Sequence, residues 1–272
     1  MKQFKNKAMT LIVMCLFSMR VMAQKTFYDM ERLTVNENVS SIITASEPIR
    51  MVDISTDSIV GDKPLDNVIR LKPTSSHHQD GEVMGIVTII TERYRVQYAL
   101  VYTSKMEEAV ADKEVELVER NAFHNPEISM STQDMVAYAM KVWNSPAKYR
   151  GTYSNHHKLK MRLNNIYVVG EYIFVDFSVE NLTNLQFDID ELRFKLQDKK
   201  QLKPALLLDR SLSFKKGYRN VAVLKKMTFP NDKVLSIELS EKQISGRTIS
   251  LQLDYEDVLS ADSFSSLLLR EQ

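Results

Sequence analysis

The feature that most constrains this chain is a nine-residue run in its second half. From Tyr172 to Glu180, the side chains of Ile173, Val175, Phe177 and Val179 point one way. Asp176, Ser178 and Glu180 point the other way, together with Tyr172 and Phe174. A period of two with one wholly apolar side demands a strand that lays that side on a core. Gly170-Glu171 turns into this run from Ile166-Tyr167-Val168-Val169. Further strands are expected at 193–197, 205–209, 219–225, 234–239 and 248–254, joined by short polar turns. Their spacing predicts an antiparallel β-sandwich of immunoglobulin-like shape over residues 151–260.

The first half shows the same habit in shorter pieces. Val39–Ile43 and Ile49–Ile54 are rich in β-branched residues and are separated by Glu47-Pro48. Gly61-Asp62-Lys63-Pro64 reads as a turn. Gly85–Ile90 and Tyr94–Tyr102 read as a hairpin over Glu92-Arg93. A β domain is therefore expected over 24–105. Between 106 and 150 the character changes. Acids and bases alternate among Ala, Val and Leu from Met106 to Arg120, which reads as a solvated helix or linker. Ser131-Thr132-Gln133-Asp134 then places a capping residue three positions before an acid, and Met135, Tyr138, Ala139 and Val142 follow on one helical face. The expected architecture is mostly β: two antiparallel sandwich-like domains joined by a helical connector at 106–150, with a tail at 261–272.

The N-terminus sets the expected location. Lys2, Lys5 and Lys7 precede an apolar run from Met9 to Met19, and Val21-Met22-Ala23 supplies a cleavage pattern that would leave Gln24 first. The run is too short to span a bilayer, which takes ~20 residues, so an export signal over 1–23 is expected rather than an uncleaved anchor. Cys15, the single cysteine, would leave with it, and Met14 before it does not suit lipid attachment. The mature chain would have neither disulfide nor thiol chemistry. Loss of Lys2, Lys5, Lys7 and Arg20 takes the count from 36 basic and 35 acidic side chains to 32 and 35, a formal charge of −3. No direct binding of nucleic acid is expected from that balance.

Motifs that carry chemistry are sparse. None of the 7 glycines forms G-x-G-x-x-G or a phosphate loop, and neither G-x-S-x-G nor H-E-x-x-H occurs. His77-His78 and His156-His157 are adjacent pairs in polar loops with no acid or cysteine cluster beside them, so no metal is expected. Asp53 with Asp57, and Asp188 with Asp190, read as solvated acids rather than a glycosidase pair. Asn181-Leu182-Thr183 has the form of a glycosylation sequon, but a bacterial type of export signal gives it no weight. The lysine doublets 199–200, 215–216 and 225–226 read as turn and edge lysines that discourage strand pairing, more than as a patch for an acidic partner. Neither a catalytic residue nor a cofactor is expected. Trp143, the single tryptophan, with Tyr172 and Phe174, are the candidate interface anchors.

Two long segments carry a family resemblance. ERLTVNENVSSIITASEPIRMVDISTDSIVGDKPLDNVIRLKP, from Glu31 to Pro73, and EYIFVDFSVENLTNLQFDIDELRFKLQDKKQLKP, from Glu171 to Pro204, resemble the TraN family of Bacteroides-type conjugative transposons. The ending Asp254-Tyr255-Glu256-Asp257-Val258-Leu259 is similar as well. These motifs are structural strands, and the family has no catalytic residues to transfer. The resemblance implies a non-enzymatic subunit of a conjugative apparatus, periplasmic and associated with the outer membrane. It would assemble in many copies with a pore-forming partner and a lipoprotein. A periplasmic or surface sandwich that binds glycan through Tyr172 and Phe174 is the alternative reading.

Overall fold

The computed structural model describes Thr26 and residues 29–75, 77–196, 200–226, 234–242 and 246–264. The expected export signal, with Ala23 and Gln24, lies outside them, as do residues 265–272 of the expected tail. The chain is mostly β with few helices. It divides into two compact units, residues 1–123 and 124–272.

The first unit contains β1 (Glu31–Val35), β2 (Ser41–Thr44), β3 (Ile49–Ile54), β4 (Ile59–Leu65), β5 (Val68–Pro73), β6 (Val83–Thr91), β7 (Arg95–Tyr102) and β8 (Asp112–Glu114). One sheet has the order β1-β7-β6-β3 and the other β4-β5-β2-β8. Leu33, Val87, Ile89, Tyr98 and Leu100 of the first sheet share a core with Ile43, Ile59, Ile69 and Leu71 of the second. The expected hairpin over Glu92-Arg93 is present, with Thr91 N–H donating to the Tyr94 carbonyl at 2.9 Å. Two carboxylates are buried beside this turn. Glu47 accepts from the Arg93 backbone N–H at 2.9 Å and from Arg93 Nε at 3.0 Å, and also from the Thr91 hydroxyl. Glu92 pairs with Arg50.

The second unit contains α1 (Thr132–Asn144), β9 (Tyr153–His156), β10 (Leu159–Val169), β11 (Tyr172–Asn181), β12 (Phe187–Leu196), β13 (Lys200–Leu202), β14 (Leu206–Leu207), β15 (Ser213–Phe214), β16 (Gly217–Lys225), β17 (Leu235–Glu241), β18 (Thr248–Leu253), α2 (Tyr255–Leu259) and β19 (Asp262–Ser263). The order β14-β16-β11-β10-β19 forms one sheet, with β9 also on β10; β13-β12-β17-β18 forms the other, with β15 on β12. Val175, Phe177, Phe194, Ile237 and Leu251 meet between the sheets. Ser131 caps α1, its hydroxyl accepting from Asp134 N–H at 3.1 Å. Met135, Tyr138, Ala139 and Val142 are buried as their spacing requires. They cover Phe174, Val221 and Val223 on the outer face of the first sheet. The Tyr172–Phe174 end of that face of β11 is therefore covered too, which explains why these two residues interrupt its polar pattern.

Three expectations change. The stretch 106–150 is not one helical connector, because it divides at Phe123 between the two units. Its first part is not an α-helix either: between single 3-10 turns at Met106–Glu108 and Glu119–Asn121, β8 runs parallel to β2, from Ile42 opposite Asp112 to Thr44 opposite Glu114. Val115 is buried there, with Val110 and Leu117 packed on the same core. The alternating charges belong to a half-buried edge strand of period two. Gly61–Pro64 is not a turn but lies inside β4. Pro64 is tolerated because it falls in the break of register between Asp62 and Leu65 of this edge strand, where the ladder with β5 is interrupted. Asp262–Ser263, in the expected tail, adds a parallel edge pair to β10 at Tyr167 and Val168.

The β9–β10 hairpin turns on His157 (φ 49°) and Lys158 (φ 56°), both in the left-handed region that a two-residue turn of this hand requires. Neither is glycine, so each bears a steric cost. Lys158→Gly is expected to stabilise the protein by about 0.5–1 kcal/mol in urea unfolding. Burial pushes the Tyr98, Tyr149 and Tyr218 phenols up to about 12. Their folded values lie above the ordinary ~10, so the stability they contribute is full below pH ~10 and is lost as the pH rises through 12. Spectrophotometric titration should show these three ionising last, together with unfolding.

Candidate functional site

The outer face of the β9-β10-β11-β16 surface is only partly covered by α1. At the uncovered end, the residues that face outward on three neighbouring strands fall into one row. Arg162 of β10 stands opposite Ser178 of β11, which stands opposite Arg219 of β16. This row borders an open groove of about 660 Å³, which Trp143, Lys160 and Glu180 also line.

A buried carboxylate organises the row. Asp176 has no exposed surface. Its oxygens accept from Asn164 Nδ2 at 2.9 Å, Asn165 Nδ2 at 3.1 Å, Arg219 Nε at 2.9 Å and an Arg219 terminal nitrogen at 2.7 Å. Adjacent residues of a regular strand point to opposite faces, so Asn164 and Asn165 could not normally reach one acceptor. A break in register between Leu163 and Asn165 inserts an extra residue into β10, and both amides turn to the same carboxylate. Asn164 in turn accepts from Ser178 Oγ at 3.1 Å, and Ser178 accepts from Arg162 Nε at 3.0 Å. Four donors and an opposite charge are what a carboxylate this deep requires.

Arg219 is held from two sides. Its fork grips Asp176, and the Trp143 ring lies over its guanidinium at 4.6 Å. Such a cation–π contact is worth about 0.5–2 kcal/mol, depending on its exposure. Hydrogen bonds to Asp176 push the Arg219 pKa up, so the guanidinium is fixed as a cation. Below the bulge, Lys148 and Tyr149 donate their backbone N–H groups to the Asn164 carbonyl at 3.0 and 3.1 Å. The chain leaving α1 is thus tied to the same strand.

The candidate residues separate on this frame. Trp143 is half-buried and lines the groove. Tyr172 is half-buried and packs beside the α1 core. Phe174 is not an exposed anchor: it is fully buried, its ring 5.9 Å from that of Tyr138. The Tyr172–Phe174 pair is therefore not open to a ligand. Asp53, Asp57, Asp188 and Asp190 are all exposed. His156 contacts the Thr248 carbonyl at 3.1 Å and the His157 ring, and His78 lies 3.5 Å from Glu82. Among the described residues no group of three or more His, Cys, Asp or Glu side chains is placed to hold a metal ion. Lys216 bonds the Thr183 carbonyl at 3.2 Å, and Lys225 lies 3.8 Å from Glu171. The Asn164–Asp176–Arg219 network escapes sequence reading because a bulge leaves no mark in composition. The doublet Asn164-Asn165, which interrupts the alternation of β10, is the one trace of it.

Arg219→Ala would leave the Asp176 charge buried without its ion partner, and should cost about 3 kcal/mol in chemical denaturation. Arg193→Ala, which removes pairs with the partly exposed Glu191 and Glu238, should cost much less.

Residues 132–263 match the model of a family described as a domain of unknown function (DUF4138). The match opens on the first residue of α1 and closes on the last residue of β19. No curated protein matches the chain. The similarity to that family thus lies within Thr132 to Ser263.

Proposed function

We propose that this chain is a non-enzymatic structural subunit of a conjugative, type IV secretion-like DNA transfer apparatus, exported to the periplasm and associated with the outer membrane. The observation that carries this reading is the similarity to DUF4138, a domain that TraN-like proteins of Bacteroides conjugative transposons carry. The resemblance to that family extends into the first unit, where Glu31–Pro73 spans β1 to β5. An N-terminus of the export type supports the location.

The geometry suits a part that fits against other parts. Both units are sandwiches whose edge strands, including β3, β4 and β8, have backbone groups available to a neighbouring chain. The glycan reading rested on Tyr172 and Phe174 as an exposed pair, and the burial of Phe174 removes its support.

Fractionation of the native host tests the proposal. The protein should sediment with the outer membrane and co-purify with a lipoprotein and a pore-forming partner, and its deletion should abolish DNA transfer. A protein that stays in the cytosol, or whose deletion leaves transfer intact, would overturn it.

A further inference from the structure

Beside the groove under Trp143 lies a second one of about 510 Å³, lined by Tyr149, Arg150, Tyr153 and Asn164. Lys160 and Arg162 line both. The second groove has three cations in its lining and no acid. Elsewhere in this unit the less exposed arginines are matched: Arg219 with Asp176, Arg193 with Glu191 and Glu238, Arg247 with Glu241. Among the described residues, Arg150, Lys160 and Arg162 have no carboxylate within ion-pair distance. Arg162 commits only Nε, to Ser178, and its two terminal nitrogens remain open. The Lys160 ammonium lies 5.7 Å from the centre of the Tyr153 ring. Tyr153 is 56% exposed and stands opposite Arg162 in the β9–β10 pairing.

We propose that this double groove is the docking site for an extended acidic peptide segment of a partner protein. Lys160 and Arg162 are two residues apart on β10 and so about 7 Å apart along the strand. That is also the repeat of alternate side chains in an extended ligand, so carboxylates at alternate positions would meet both cations. Arg162 offers two parallel donors, the geometry that suits a carboxylate. Tyr153 and Trp143 flank the cations and supply apolar faces for the intervening side chains. The groove does not suit a uniform polyanion. Glu180 and Asp209 line its continuation under Trp143 and would repel the next charges of a nucleic acid strand. The inference deepens the assembly reading by naming a partner's chemistry. It rests on that reading for the partner being a neighbouring subunit.

Trp143 is the single tryptophan, so its emission reports from this groove. The full mature chain would be titrated with a ten-residue peptide of alternating Glu and Ser and with its Gln counterpart. A single-stranded oligonucleotide of equal charge and phosphatidylglycerol vesicles complete the set. The expected result is a saturable emission change with the Glu peptide alone, weakened by added salt and at least about tenfold weaker in Lys160→Gln/Arg162→Gln. Circular dichroism confirms that the variant is folded; if it is not, Arg150→Gln, on an exposed loop, takes its place. No saturable change with the Glu peptide, equal binding by the folded variant, or tighter binding of the oligonucleotide or vesicles would each overturn the proposal. Peptide binding without membrane co-purification would leave this site standing and remove the assembly reading. Co-purification without peptide binding would do the reverse.

Discussion

A carboxylate with no exposed surface, Asp176, holds the second unit's outer sheet in its shape. An unpaired charge at that depth would ionise only at a large desolvation cost, so the surroundings must supply donors. They come from three directions: two amides from β10, one guanidinium from β16, and through that guanidinium the Trp143 ring at the end of α1. Three strands and a helix are thereby fixed relative to one point. The bulge at Asn164 is part of the same solution, because only an irregular strand can turn two consecutive side chains to one acceptor. The groove beside it inherits its form from this arrangement. Arg219 is consumed by Asp176, whereas Arg162, on the other side of β11, has its terminal nitrogens left for something else.

The first unit applies the same chemistry to a different problem. Glu47 and Glu92 flank the hairpin between β6 and β7, and each is matched by an arginine. Glu47 also accepts a backbone N–H of the turn, so it closes the hairpin as well as neutralising Arg93. In the second unit, Arg247 does comparable work between Glu241 and the loop after Asn181, bonding Thr183 Oγ1 at 3.1 Å and lying over the Phe187 ring. Buried ion pairs of this kind add little net stability over an apolar core of equal volume. Their geometric demands are strict, however, and they fix which strand end meets which loop.

Much of the fold was legible from residue order. The long strands β10, β11, β16, β17 and β18, the capped helix from Ser131 and its buried face lie close to where periodicity puts them, because each depends on neighbours within one element, whereas β12 begins already at Phe187 and the short strands β9, β13 and β15 carry no such signal. Reading failed where the determining partner is distant in sequence. Asp112–Glu114 has the composition of a solvated helix, yet its neighbour is β2, some seventy residues earlier. Pro64 signals a turn in isolation and sits in an edge strand because the ladder with β5 breaks there. Phe174 could be named as an aromatic on a polar face, but whether that face meets water or a helix is not a local property.

The sequence by itself determined that the chain is mostly β, that each half buries an alternating apolar side, and that one capped helix precedes the second set of strands. Hydrophobic period and turn chemistry act over a few residues, and they suffice for that much. Tertiary structure alone decided that α1 covers one end of the outer sheet and leaves the other open. It alone turned Asn164, Asn165 and Arg219 onto Asp176 and left Lys160 and Arg162 facing a groove. Charge pairing acts through space between strands that the chain order separates, so no window of sequence contains it.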